Sequence, residues 1–285
     1  MKFLLAIVSL AAALIKVDAL ATRGLKCPKN FRNVVFNSAV NIQPNWPWRF
    51  NVIQQFGVDK WIGFTLFSAN NANDAVNKGQ IRIVMNPLQV PDAVKIVTSP
   101  DPPEYLEIFN EPDIGGFGNP ITPAAEAAKA VKPLLDAKTK TKYISPAPAL
   151  GYTQYLPDFF KACKCLDRFP VIAMHVYRPK AAEAIEVIRT VHRQFPTKKI
   201  WITEISPASR REDNCALDGK GMIKWMNEVL GWAARTGYVD RVFWNCGEYG
   251  TLYPEDPNRC NPSLTKNDTN SSPTELLRNY GKLCM

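Results

Sequence analysis

The apolar positions of this chain fall into short runs, separated by longer stretches in which apolar residues recur three and four apart. Runs rich in β-branched and aromatic residues occupy Asn33–Ser38, Lys60–Phe67, Gln80–Asn86, Tyr105–Asn110, Lys142–Ala147, Val171–Tyr177, Ile200–Ile205 and Arg241–Asn245. Several are almost continuously apolar rather than alternating, which is the pattern of strands covered on both faces. Between them, Ala184, Ile185, Ile188 and Val191 share one face of a predicted helix over Ala181–Gln194. Met222, Ile223, Met226, Val229 and Leu230 do the same over Lys220–Thr236, which stops at Gly237. Thr122, Pro123 and Glu126 predict a capped helix start running on to Ala137. Pro157–Cys163 and Ser272–Leu283 are shorter candidates, and only Asn70–Lys78 is available between the second and third strands. Strands alternating with helices predict a parallel sheet, and eight repeats predict closure into a (β/α)8 TIM barrel, an α/β fold of one domain. An open doubly wound sheet would call for a Gly-rich turn after its first strand, and none follows here.

The N-terminal stretch changes the expected compartment. The apolar run Phe3–Ile15 is shorter than the roughly 20 residues a membrane span requires, and Ala19-Leu20-Ala21 offers small residues at the positions a signal peptidase reads. Residues 1–21 are therefore expected to be a signal peptide and residues 22–285 the barrel, in a protein that is secreted, extracellular or held in a cell wall. Seven cysteines suit that compartment and suggest disulfides, with the odd count leaving one over. Cys163 and Cys165, one residue apart, look too tight for an ordinary mutual bridge. Asn267-Asp268-Thr269 and Asn270-Ser271-Ser272 are acceptor sites for glycosylation at Asn267 and Asn270. The net charge of +9 is spread in doublets such as Lys198-Lys199 and Arg210-Arg211. With no zinc-finger, homeodomain or RNP pattern, no nucleic-acid partner is expected. A monomer with no membrane span is.

Barrel enzymes carry their reacting groups where strands end and βα loops begin. Glu111 lies just past the fourth strand, in Phe109-Asn110-Glu111-Pro112-Asp113, and Glu204 near the end of the seventh, in Trp201-Ile202-Thr203-Glu204-Ile205. Burying a carboxylate is costly, so two of them at opposed strand ends call for a use. Glycoside cleavage supplies one: an acid protonates the departing oxygen while a second carboxylate attacks or activates water. The chain has two histidines, His175 and His192, too few for a histidine-based metal site, and no Gly-x-Ser-x-Gly nucleophile elbow, so neither metal nor cofactor is expected. Trp46, in a predicted top loop, is a candidate sugar platform. Trp201 is expected to face the helices.

These motifs, in order, resemble those of glycoside hydrolase family 128, the β-1,3-glucanases of the clan-A retaining hydrolases. The likeness runs through Ile108-Phe109-Asn110-Glu111-Pro112-Asp113, Ile144-Ser145-Pro146-Ala147, Cys163-Lys164-Cys165-Leu166-Asp167, Met174-His175-Val176-Tyr177, Trp201-Ile202-Thr203-Glu204 and Val242-Phe243-Trp244. The resemblance implies that Glu111 is the acid/base and Glu204 the nucleophile. It implies that Asn110 bonds the sugar 2-hydroxyl, that Tyr177 holds the nucleophile, that His175 lines the same wall, and that Trp244 floors the subsite. The implied substrate is a β-1,3-glucan polysaccharide or oligosaccharide. Some lineages of the family bind such oligosaccharides with little turnover, so a non-catalytic binder is the alternative. A retaining pair predicts carboxyls roughly 5–5.5 Å apart.

Overall fold

We describe a computed structural model of the chain, covering residues 26–36, 46–58, 60–68, 77–115, 119–208, 215–246, 260–266 and 272–284. The expected signal peptide and the glycosylation sites at Asn267 and Asn270 lie outside the described residues, as does most of the helix predicted over Asn70–Lys78. Eight parallel strands form a closed barrel: β1 (Arg32–Val35), β2 (Trp61–Ile62), β3 (Gln80–Val84), β4 (Tyr105–Ile108), β5 (Lys142–Ile144), β6 (Val171–Tyr177), β7 (Lys199–Ser206) and β8 (Val239–Trp244). They pair in chain order, and β8 returns to β1 with Val34 opposite Trp244. Around them lie α1 (Trp46–Gln54), α2 (Val90–Val97), α3 (Ala124–Ala130), α4 (Lys132–Asp136), α5 (Tyr152–Cys163), α6 (Ala181–Gln194), α7 (Gly219–Arg235) and α8 (Glu275–Lys282). The (β/α)8 expectation holds. No helix among the described residues is long and apolar enough to cross a membrane.

Period-two alternation sorts the strand residues into two layers. Val35, Ile62, Ile81, Ile83, Ile144, Val171, Ala173, Trp201 and Phe243 fill the barrel interior. Leu106, Ile108, Ile172, Met174, Ile202, Ile205, Val242 and Trp244 pack outward with the buried faces of α6 and α7, among them Ile188, Val191, Met226 and Val229. Each such aliphatic side chain, fully withdrawn from water, stabilises the fold by roughly 1.5–3 kcal/mol.

Several local expectations need correction. The helix from Thr122 to Ala137 is two helices, because Pro133 lacks the N–H that would continue the ladder and sits instead in the first turn of α4. The Thr122 hydroxyl reaches Pro120 rather than capping α3. Helix α5 begins at Tyr152, well before Pro157, which it accommodates internally. Helices α1 and α2 were not evident from the pattern; in α2, Val90, Ala93 and Val97 supply the buried face behind two prolines that read as loop. Cys163 and Cys165 do pair with each other, at a Cα–Cα distance of 5.1 Å. Lys164 between them adopts a left-handed conformation at the end of α5, which doubles the chain back and brings the sulfurs together. Cys215–Cys260 and Cys27–Cys284 are the other pairs, and the seventh cysteine, Cys246, is buried outside them.

Candidate active site

Three strands and one loop bring the expected acids to a common centre. On β6 the alternation is regular, so Val171, Ala173, His175 and Tyr177 all point inward while Ile172, Met174 and Val176 join the outer layer. On β7 the register slips between Ile202 and Ile205. That irregularity lets two consecutive residues, Thr203 and Glu204, leave the outward face, so Glu204 rises into the barrel mouth although Ile205 returns outward. Glu111 is delivered differently. Phe109 and Glu111 both adopt positive φ, 58° and 43°, and flank Asn110, which still bridges to Ala147 beyond β5. Left-handed conformations in non-glycine residues cost about 1–3 kcal/mol each, and here they turn the chain sharply enough to aim the Glu111 carboxyl across the mouth. Asp113 braces this turn: its carboxylate accepts hydrogen bonds from the backbone N–H groups of Ala149, Leu150 and Gly151, tying the loop after β4 to the start of α5.

His175 sits between the two glutamates. Its Nδ1 lies 2.9 Å from Glu111 Oε1, and its Nε2 lies 3.4 Å from Glu204 Oε1, in ion-pair range but outside good hydrogen-bond geometry. One oxygen of Glu111, one of Glu204 and a nitrogen of His175 all fall within 4.8 Å of one another. On its other oxygen, Glu204 accepts a short hydrogen bond from the Tyr177 hydroxyl and a longer one, 3.3 Å, from Asn245 Nδ2. Asn245 also donates to the Tyr177 oxygen, so the three side chains form a closed triangle.

Burial pushes the Glu204 carboxyl up to about 7; the charge of Glu111 adds to the rise, while the positive charge of His175 and the donors Tyr177 and Asn245 oppose it. For His175 burial works in the other direction, but the charges of Glu204, Glu111 and Glu107 and the bond to Glu111 outweigh it and raise the imidazole to about 9. That direction favours the protonated ring, which donates its Nδ1–H to Glu111 while Nε2 faces Glu204 in ion-pair range without a hydrogen bond. Glu111, His175 and Glu204 form the one group of metal-type donors found among the described residues. Yet an imidazolium, protonated at both nitrogens and with Nδ1 bonded to Glu111, has no lone pair to offer an ion, and the positive charge a metal would bring is already supplied. The arrangement is suited to proton transfer and nucleophilic attack.

The other candidates divide. Asn110 is buried beside Glu111, and its Oδ1 has no hydrogen-bond partner among the described residues. Trp46 opens helix α1 instead of lying in a loop, and its side chain lies outside the described residues. Trp244 is corrected: it is fully buried in the outer layer, edge-on to Trp225 and tilted against Tyr280, and donates its indole N–H to Pro262. No face of it is left for a sugar. Alternation on β8 explains this, since Phe243 points into the barrel, Trp244 away and Asn245 in again. Asn245 is thus the residue that reading the sequence missed, and the parity of Phe243 was the signal that could have found it. Trp201, expected among the helices, instead packs inside the barrel on Tyr105 and Phe243. Counting back from an inward Glu204 by strict alternation misplaces it, because the β7 irregularity breaks the count.

A family model, described as a glycosyl hydrolase catalytic core, matches residues 67–280. No curated protein matches the sequence significantly. Among solved structures, the fold is similar to a family-128 subgroup V exo-β-1,3-glucanase from Cryptococcus neoformans, with TM-score 0.69 and 18% identity over 87% of this chain and 97% of that one. It is similar to a subgroup II endo-β-1,3-glucanase from Sorangium cellulosum, with TM-score 0.66 and 20% identity over 88% and 97%. It is also similar to a subgroup VII oligosaccharide-binding protein from Cryptococcus neoformans, with TM-score 0.62 and 16% identity over 92% and 96%.

Proposed function

Because the chain belongs to the glycosyl hydrolase catalytic core family, we propose that it is a secreted, monomeric β-1,3-glucan hydrolase of glycoside hydrolase family 128 that works with retention of configuration. The observation that carries this reading is the convergence of Glu111 and Glu204 about His175, with one oxygen of each carboxylate within 4.8 Å of the other. An inverting pair would stand roughly 6.5–9.5 Å apart to admit a water between them, whereas a retaining pair needs only about 5–5.5 Å.

In the first step, Glu111 gives its proton to the glycosidic oxygen as that bond breaks, and a Glu204 oxygen bonds to the anomeric carbon. In the second, Glu111 takes a proton from water as the water displaces Glu204, which leaves as a free carboxylate. Tyr177 and Asn245 hold one Glu204 oxygen, which supports attack by the other. The unpartnered Oδ1 of Asn110 suits a sugar hydroxyl, a bond that can strengthen as the ring flattens towards the oxocarbenium ion. The apparent signal peptide and the three disulfides support an extracellular location.

Laminarin and a ladder of laminari-oligosaccharides provide the test. New reducing ends that vanish in Glu204→Gln are the expected outcome, and NMR of the first product should show the β anomer. Affinity for the same ladder with no turnover would replace the reading with an oligosaccharide-binding role, the activity named for one of the structures of similar fold. Turnover confined to β-1,4-linked mannan or glucan would move the specificity.

A further inference from the structure

Far from the acids, one disulfide holds very little of the fold together. Cys27–Cys284 and Cys215–Cys260 join cysteines 257 and 45 positions apart, whereas Cys163 and Cys165 are separated by 2. Closing so small a ring restricts the unfolded chain least of the three, because that stabilisation grows with loop length. The same bridge lines a cleft of about 500 Å³ on the flank of the barrel, with Cys163 half-buried and Cys165 buried. Helix α5 runs back from the mouth, so its last turn and this cleft lie by the entrance of β6, at the opposite end from His175. Four cations line the cleft: Lys129 on α3, Lys132 on α4, Lys164 within the bridge and Arg168 just beyond it. All four are exposed. Asp136 is the one acid in the lining, and Lys132 already pairs with it at 2.7 Å. Lys129, Lys164 and Arg168 have no ion-pair partner among the described residues. A bridge that contributes little to stability thus stands in a pocket with a surplus of positive charge.

We propose that this cleft is a thiol–disulfide exchange site for a small anionic thiol, one that carries carboxylates beside its sulfhydryl. The cations attract the carboxylates and favour the thiolate form of the incoming sulfur. That thiolate attacks the sulfur of Cys163, the less buried of the two. The S–S bond breaks, its electron pair leaves on the Cys165 sulfur, and a proton from solvent follows. The carbonyl end of α5 disfavours a thiolate there, and the surrounding cations offset it. A mixed disulfide now joins Cys163 to the ligand. A second thiolate attacks the ligand sulfur of that bond, and Cys163 departs as a thiolate and is protonated. Two thiols are thereby oxidised to one disulfide, and the protein bridge is reduced to two cysteines. The protons the thiols gave up equal those the cysteines gain.

The test needs no glucan and stands apart from the hydrolase reading. The full chain is incubated in low salt with glutathione, with neutral mercaptoethanol or with cationic cysteamine. Differential alkylation and peptide mass spectrometry follow each disulfide separately. Rates are divided by the rate of the same thiol with hydroxyethyl disulfide, which removes differences in intrinsic nucleophilicity. On that scale glutathione should open Cys163–Cys165 roughly tenfold faster than cysteamine, with mercaptoethanol between them. The advantage should vanish in roughly 0.5 M salt, as screening requires. The double variant Lys164→Glu, Arg168→Glu should reverse the order while the other two bridges react as before; both positions are exposed, so the fold should tolerate the change. Should the variant misfold, the salt response of the wild-type order decides. Equal normalised rates for glutathione and cysteamine in low salt overturn the proposal. So does a preference that survives both salt and charge reversal, or opening of Cys163–Cys165 no sooner than Cys215–Cys260.

Discussion

The two sides of the barrel differ. Strands β6 and β7 are seven and eight residues long and pair over seven positions, from Val171–Lys199 to Tyr177–Ser206. On the opposite side β2 has two residues and pairs two with β1 and two with β3. The long side, with the end of β8, carries His175, Tyr177, Glu204 and Asn245, and the turn after β4 carries Glu111. His175, Tyr177 and Glu204 stand on strands paired over seven positions, Glu111 on a turn pinned by Asp113, while the short side contributes packing. A site fixed to a fraction of an ångström is better built on such elements than on loops.

The contrast can be broken most severely at its centre. Glu204→Gln should lower kcat/KM on β-1,3-glucan by on the order of 10⁴-fold or more, with an unchanged circular dichroism spectrum. Tyr177→Phe and Asn245→Ala each remove a donor from an ionised carboxylate, worth about 1.5–3 kcal/mol; steady-state kinetics should show losses of roughly 10- to 100-fold. Next comes the pH profile. Burial raises Glu204 to about 7, and the proposed mechanism has it attack as the anion, so kcat/KM should fall about tenfold per pH unit below that value. Tyr177→Phe should shift this acid limb upward, because the lost donor had favoured the anion.

Stability measurements sharpen the comparison further. Asp113→Ala leaves three backbone N–H groups without their acceptor. A loss of about 2 kcal/mol is expected in urea unfolding, together with a drop in activity as the Glu111 turn loosens. The smallest effect belongs to the short side: Ile62→Val on β2 should cost about 1 kcal/mol and leave kcat/KM within about twofold. A large rate loss there would erase the distinction between the two sides.

How much of this the sequence disclosed follows the same division. The strands β4, β6 and β7 were legible as apolar runs, and β6 and α6 coincide with their predicted bounds, because continuous burial leaves an unbroken apolar signature. Glu111 and Glu204 stood out as acids at the ends of such runs. Side-chain direction was the weak point wherever regularity failed. The slip in β7 reversed Trp201, and the assignment of Trp244 to the sugar ignored the alternation that places Asn245 there instead. Glu107 was hidden for a different reason: in Tyr105-Leu106-Glu107-Ile108 it reads as one polar interruption of a strand, and only the barrel's closure shows that it is buried on the inner face. Helix α2, masked by Pro87 and Pro91, shows that a local breaker can conceal a face that tertiary packing restores.

The Cys27–Cys284 bond spans 257 positions and fastens the entrance of β1 to the exit of α8. In covalent terms it turns the described barrel into a ring. Closing so long a loop restricts the unfolded chain by about 5 kcal/mol in the chain-entropy account. It also means that one protease cut in any surface connection between those cysteines yields a linearised but undivided molecule, its two arms still joined at the seam. Nicked protein should thus migrate as a single species on a denaturing gel until a reductant is added, and so tolerate damage that would dismember an open chain.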